Sequence, residues 1–254
     1  MFNGPDKDLK PVGHVRCMKK TCAMLSALLL MGLVMALPKP GITPDSWLYG
    51  FKRFFEDLDL AFTFNEVARA EKYFKYAELR LTEAKEMVER GRSEYARKLA
   101  EEYERMLNRS LEIAEKVGEE GVNVTEVVAT STMTHLNVLE QIYELVSEEA
   151  RPAIKRAMEA SRRGNERALS VLGAYEPERA VEISIQILEE KAVEVREGVG
   201  EYQRVLNRTL SIIERLKSEG VDTSRWEQQI TEVLSTPGEL GEVPGAPGMP
   251  EGLE

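Results

Sequence analysis

The chain has 254 residues, 43% of them hydrophobic and 31% charged, which is enough for one sizeable core. Its 34 basic and 44 acidic residues leave a net charge of −10, with no lysine- or arginine-dense tail, and this argues against a general nucleic-acid binder. Cys17, Cys22 and His14 stand in the first 22 residues and only His135 lies beyond them, which leaves almost no room for a thiol enzyme, a disulfide scaffold or a structural zinc site.

In chain order, residues 1–17 read as a polar upstream extension, with Met18 as the biological start. Met18-Lys19-Lys20 precedes sixteen uncharged residues, Thr21 to Ala36, ending in Val34-Met35-Ala36. A basic start, a short apolar run and a small-x-small ending predict a signal peptide over 18–36, with the mature chain beginning at Leu37. The run is short for a membrane span, which needs about 20 apolar residues; an uncleaved membrane anchor is the alternative. The leader region holds 5 basic and 2 acidic residues, so the mature chain carries 29 basic and 42 acidic residues, a net of −13. Residues 37–44 form a proline-rich linker, and Thr43 with Pro44 reads as an N-cap and first helical position.

Trp47, Leu48, Phe51, Phe54, Phe55 and Leu58 then follow at helical spacing, predicting a first helix over 45–60. Asn65 is a second cap. Val67, Ala70, Phe74, Ala77, Leu81, Ala84 and Val88 step 3-4-3-4-3-4, a heptad seam that predicts helix over 66–90. Gly91 reads as a C′ residue and Ser93 as the next cap. A seam shifted by one residue runs from Ala96 to Val117, so a hairpin turn separates helices at 66–90 and 94–117. Gly118 to Asn123 is a loop. A helix is predicted over 125–146, although its start is rich in β-branched residues. The next, over 150–172, has a stripe of small residues, Ala150, Ala157, Ser161, Gly164 and Ala168, suited to close helix approach. A last stripe keeps phase from Val181 through Gly198 and Gly200 to Leu216, predicting one helix over 178–217, with a kink or short turn at the glycines as the alternative. Residues 235–254, with their prolines and glycines, read as a disordered tail.

Glu102–Val122 (EYERMLNRSLEIAEKVGEEGV) matches Glu201–Val221 (EYQRVLNRTLSIIERLKSEGV) at an offset of 99, and Ala77–Glu86 matches Leu188–Glu197 more weakly at 111. The shared Tyr–Leu–Asn–Arg–Ser/Thr–Leu string favours an internal duplication, and two copies suggest one pseudo-symmetric bundle. The fold class expected over 45–234 is therefore all-α, an antiparallel helical bundle with coiled-coil-like heptad packing.

The most distinctive string is PGITPDSWLYGFKRFFEDLDLAF, Pro40 to Phe62. Through Pro40, Gly41, Pro44, Asp45, Ser46, Leu48, Tyr49, Lys52 and Arg53 it resembles the opening of a family of uncharacterised secreted helical proteins of archaea and bacteria. The later strings AELRLTEA and EEARPAIKRAMEASRRGNERAL are similar to that family too. The resemblance implies secretion and a helical fold, and it implies no reaction or site residues. Many Glu, Lys and Arg against five Gln and seven Asn point to a thermophile.

No catalytic, cofactor-binding or metal-binding residues emerge. His135 lies near the apolar face of Leu136, Leu139, Tyr143 and Val146, with no Glu or His three or four residues away, and reads as a packing residue. Adjacent acidic pairs such as Glu101-Glu102 point about 100° apart and read as solvated faces. Three Asn-x-Ser/Thr sequons make Asn108, Asn123 and Asn207 candidate glycosylation sites, with Asn123, in the loop, the best placed. Seven of the 17 aromatics fall within residues 47–64; they read as an amphipathic helix capping the bundle, or else as an aromatic surface for a membrane interface or a partner. Arg151, Lys155, Arg156, Arg162, Arg163 and Arg167 outweigh Glu159 and Glu166 by +4 over one helix. They are expected either to pair with Glu-rich neighbours or to dock an anionic partner, such as an envelope polymer or the acidic face of a second copy. The expected function is that of a non-catalytic structural or interaction protein, secreted or in the cell envelope. The rival is an envelope ligand- or stress-sensing module that binds metal or misfolded protein.

Overall fold

The computed structural model describes residues 42–192 and 199–235, with the side chains of 190–201 left aside. The extension at 1–17, the leader at 18–36, most of the 37–44 linker and all of the tail but Ser235 lie outside the described residues. The described chain is all-α: α1 Tyr49–Ala61, α2 Glu66–Glu89, α3 Ala96–Val117, α4 Val122–Leu145, α5 Arg151–Tyr175, α6 Pro177–Ala192, α7 Val199–Ser218 and α8 Ser224–Ser235. No strand occurs among the described residues; the β-branched run at 122–134 is helix, and Thr125 and Thr132 donate back to the carbonyls of Val122 and Val128.

Helices α2, α3, α5 and α4 pack in that cyclic order as a four-helix bundle. The heptad seams face inward as their periodicity predicts: Ala70, Phe74, Ala77, Leu81, Ala84 and Val88 of α2 meet Leu99, Tyr103, Met106 and Ile113 of α3 in the core. The hairpin between α2 and α3 is closed by Gly91 at φ +73°, with Arg92 N donating to Met87 O at 2.7 Å and Gly91 N to Val88 O at 2.9 Å. On α5, Ala157, Ser161, Gly164 and Ala168 are buried; a Cβ on Gly164 would sit 3.3 Å from Leu107 Cδ2 of α3, so the small stripe is what lets α5 lie close. Helix α6 packs on α5 and α4 and, with α7 and α8, extends the bundle.

Several boundaries differ from expectation. Residues 43–48 form turns, not helix: Thr43 O accepts from Ser46 N and Ser46 O from Tyr49 N, so α1 begins at Tyr49. Ser93 opens a single 3-10 turn and caps nothing with its side chain. The turn at Gly118–Gly121 runs straight into α4, which places Asn123 in the first helical turn and not in a loop. The expected helix over 178–217 is two helices, α6 and α7, that pack against each other, which one continuous helix cannot do. Helix α8 was not expected; Trp226, Ile230 and Val233 bury its inner face.

The duplication has a structural counterpart. Each copy supplies the second helix of a hairpin, α3 packed on α2 and α7 packed on α6. Paired positions share burial, as with Tyr103 and Tyr202 or Ser110 and Thr209. They diverge in hydrogen bonding: Ser110 Oγ donates across to Ala70 O of α2, whereas Thr209 Oγ1 donates to Val205 O of its own helix.

Candidate functional site

Helix α1 is fixed to the bundle through charges. Arg80 of α2 is fully buried, and its guanidinium donates to Tyr49 Oη at 3.0 Å and Glu56 Oε1 at 3.0 Å on α1, and to Glu83 Oε1 at 3.1 Å on its own helix. Tyr49 Oη in turn donates to Glu83 Oε2 at 2.8 Å, and Lys52 Nζ donates to Glu83 Oε1. Arg53 Nη1 donates to Glu56 Oε2 at 2.6 Å, while its Nη2 lies 3.0 Å from Glu102 Oε2 on α3. Three cations, Lys52, Arg53 and Arg80, thus balance three carboxylates, Glu56, Glu83 and Glu102, across three helices. Balance matters because an unpaired charge at this depth is strongly unfavourable. Burial drives the Tyr49 phenol far above its usual range, as does its bond to Glu83, and this outweighs the opposing pull of Arg80. A second tie lies at the far end of α1. There Asp59 accepts from Lys72 Nζ at 2.6 Å and Tyr76 Oη at 2.7 Å. Burial alone would raise the Asp59 pKa, but these two hydrogen bonds hold it below the usual carboxylate value.

The consequence is an inside-out helix. The inner face of α1 is Tyr49, Lys52, Arg53 and Glu56, with Leu60 packed on the core near its end, and Glu56 is its one buried residue. Its outer face carries Phe51 and Phe54, with Trp47 just before the helix and Phe62 and Phe64 just after; these five side chains are 56–84% exposed. The expected capping helix is therefore reversed over its first turns, where Arg80 and Glu83 on the bundle surface meet a polar face. Glu102 corrects a second expectation. Of the pair read as solvated, Glu101 is exposed and bonds Arg156, whereas Glu102 is buried in the network. The sequence signal was a second line on α2, Tyr76, Arg80, Glu83 and Met87, which steps 4-3-4 beside the seam and is buried throughout.

The basic strip on α5 meets the acidic flank of α3. Arg167 makes a bidentate pair with Glu115, both bonds 2.8 Å, and Arg156 Nη2 lies 3.1 Å from Glu101. Arg163 lies within 3.9 Å of Glu104 and 3.5 Å of Glu159, and Arg151 pairs with Glu148. Arg151 and Lys155 stand over the Tyr143 ring at 5.1 and 5.4 Å, and Arg162 is also engaged within the chain. All three sequon asparagines lie on helices, and their sequon hydroxyls, Ser110, Thr125 and Thr209, are wholly buried. His135 is a satisfied packing residue: Nδ1 is 3.0 Å from Tyr103 Oη, itself 2.5 Å from Ser161 Oγ, and its ring stacks on Phe74. A surface groove of about 400 Å³ lies between α5 and α7, lined by Ser170, Gly173, Arg208, Ser211 and Arg215; Arg215 is held there by Gly173 O.

Residues 41–149 match the family model described as a domain of unknown function, DUF5667. The match takes in α1 to α4 and with them the whole ionic network, and ends before α5. No curated protein and no solved structure matches the chain.

Proposed function

We propose that the chain is a non-catalytic interaction protein, exported to the cell envelope or extracellular space, whose docking element is α1. The observation that supports this reading is the reversed helix: three cations and three carboxylates hold its polar face inward, leaving its aromatic face uncovered. A helix that only closed the end of a bundle would turn those rings inward, since burying one aromatic side chain contributes roughly 2–3 kcal/mol. The leader read at 18–36 supports export of such a surface. The polar groups in the bundle core, Tyr103, His135 and Ser161, are buried and bond one another, which supports a packing role.

The test is fractionation of the native host expressing the full chain or its Phe51→Ser/Phe54→Ser variant. Both substitutions are on the exposed face and leave the network intact. The wild-type protein is expected in the envelope fraction and the variant in the soluble exported fraction. An unchanged distribution would sink the docking role of α1, and retention of either form in the cytoplasm would sink export.

A further inference from the structure

We propose that the aromatic face of α1 binds the headgroup–acyl boundary of a lipid bilayer with neutral headgroups. This rests on the docking role argued above and names its partner. At about 200 Å² per aromatic side chain, the exposed fractions of Trp47, Phe51, Phe54 and Phe62 amount to about 530 Å², and Phe64 adds more beside them, which is at the upper end of the roughly 300–600 Å² of the largest apolar patch on an ordinary monomer. Phe51 and Phe54 stand on one side of the 13-residue helix, about 20 Å long, with Trp47 in the turn before it and Phe62 at its C-cap, so exposed rings run from one end of the helix to the other. That is the geometry of a helix lying in the plane of a membrane surface with its apolar side down. The polar side of such a helix ordinarily faces water; here it faces the bundle, which pairs its charges.

The chain upstream selects the bilayer over other apolar partners. The uncharged run from Thr21 ends at Ala36, with ten residues between it and Trp47. That step spans at most about 40 Å, so export through that run brings α1 up at a membrane surface whether or not the run is then removed. Charge selects neutral lipid. Lys52 and Arg53 are committed inward, and the chain from Leu37 carries a net of −13, so nothing on this face draws it to anionic headgroups. A second copy fits poorly, because Asp57 is exposed beside the aromatic face and a self-pair would bring together two chains of net −13.

The chain reports on itself, since it has only two tryptophans and Trp226 is buried. In full-length protein carrying Trp226→Phe, Trp47 emission is recorded with neutral phosphatidylcholine vesicles, with and without bromine on the acyl chains. The expected result is a blue shift, quenching by brominated lipid, and no reversal when salt is raised tenfold. Phe51→Ser/Phe54→Ser should weaken the vesicle-dependent signal about tenfold or more. Trp47 left quenchable by aqueous iodide in the presence of vesicles would overturn the proposal. So would a blue shift without lipid that accompanies dimerisation in sedimentation. Either result, combined with loss of the Phe51→Ser/Phe54→Ser variant from the envelope fraction, would leave the docking role standing and point to a protein partner.

Discussion

Replacing Arg80 by Met tests whether the network is what holds α1 in its reversed orientation. The change keeps a long side chain at a fully buried position and removes three hydrogen bonds, to Tyr49, Glu56 and Glu83. Three carboxylates then face two cations, Lys52 and Arg53, whose side chains retain 21% and 20% exposure and cannot neutralise all of them. Breaking a buried ion pair from one side is destabilising by about 3–5 kcal/mol. Partial compensation by the two remaining cations puts the expectation at about 3 kcal/mol, which is roughly a hundredfold in the folding equilibrium. Urea unfolding should show the midpoint falling at constant slope. Before global unfolding, trypsin should cut after Lys52 and Arg53 faster than in wild type, because α1 detaches first. The double variant Arg80→Met/Glu83→Gln restores charge balance and should recover at least 1 kcal/mol of the loss by the coupling expected of contacting charges. A single variant within 1 kcal/mol of wild type, with unchanged proteolysis, would refute the latch.

The acid limb of stability should depend on Asp59. Its folded pKa lies below the unfolded value, so its contribution is complete above about pH 4 and fades as pH falls through the folded pKa. Asp59→Asn should flatten that limb in urea midpoints measured between about pH 2 and 6. The alkaline limb should depend on Tyr49, Tyr76 and Tyr103, whose phenols burial holds above their usual value of 10.0; stability present below that pH is lost as pH rises through the folded values. Absorbance of phenolate should therefore rise for these three only with unfolding. Gly121→Ala should be destabilising by about 1–3 kcal/mol, since its Cβ would press on the carbonyl of Ala114. Gly50→Ala, in open space on α1, should instead stabilise by roughly 0.5–1 kcal/mol. Both are read from urea midpoints.

The heptad seams, the hairpin at Gly91 and the cap at Asn65 were legible because each is local: a 3-4 stepping, a left-handed glycine, an amide oxygen accepting from Ala68 N at 2.8 Å. The reversal of α1 was not, because an amphipathic helix looks the same whichever face meets the bundle. What decides is the chemistry of the surface it meets, and that surface comes from Arg80, Glu83 and Glu102 on two other helices. Helix α8 was missed beside the proline-rich tail, although Thr223, Trp226, Ile230 and Val233 carried a start and a 4-3 stripe. The break between α6 and α7 was masked by a stripe that keeps phase through Gly198 and Gly200. Periodicity alone cannot tell one long helix from two that fold back with their seams in register.

An ionic inner face does something an apolar one could not. Leu and Met in place of the network would be neutral or favourable for stability, yet they would let α1 roll over and bury Phe51 and Phe54 instead. The charges on α2 and α3 forbid that, because an aromatic face against Arg80 and Glu83 would leave them buried and unpaired. The demanding test leaves α1 itself untouched. In the variant Arg80→Met/Glu83→Leu/Glu102→Leu the bundle surface becomes apolar there, and α1 loses the ion pairs that Lys52, Arg53 and Glu56 make to Glu83, Glu102 and Arg80. Helix α1 should then turn, releasing its charges to water and burying its rings. The protein is expected to stay folded with stability at or above wild type. Trp47, with Trp226→Phe as background, should shift to the blue and resist iodide without any lipid present. Binding to neutral vesicles should fall together with that exposure. If Trp47 stays in water in this variant, the network does not determine which face of α1 points outward, and the orientation must come from the tie of Asp59 to Lys72 and Tyr76 or from the turns at 43–48 and 62–65 that tether the helix.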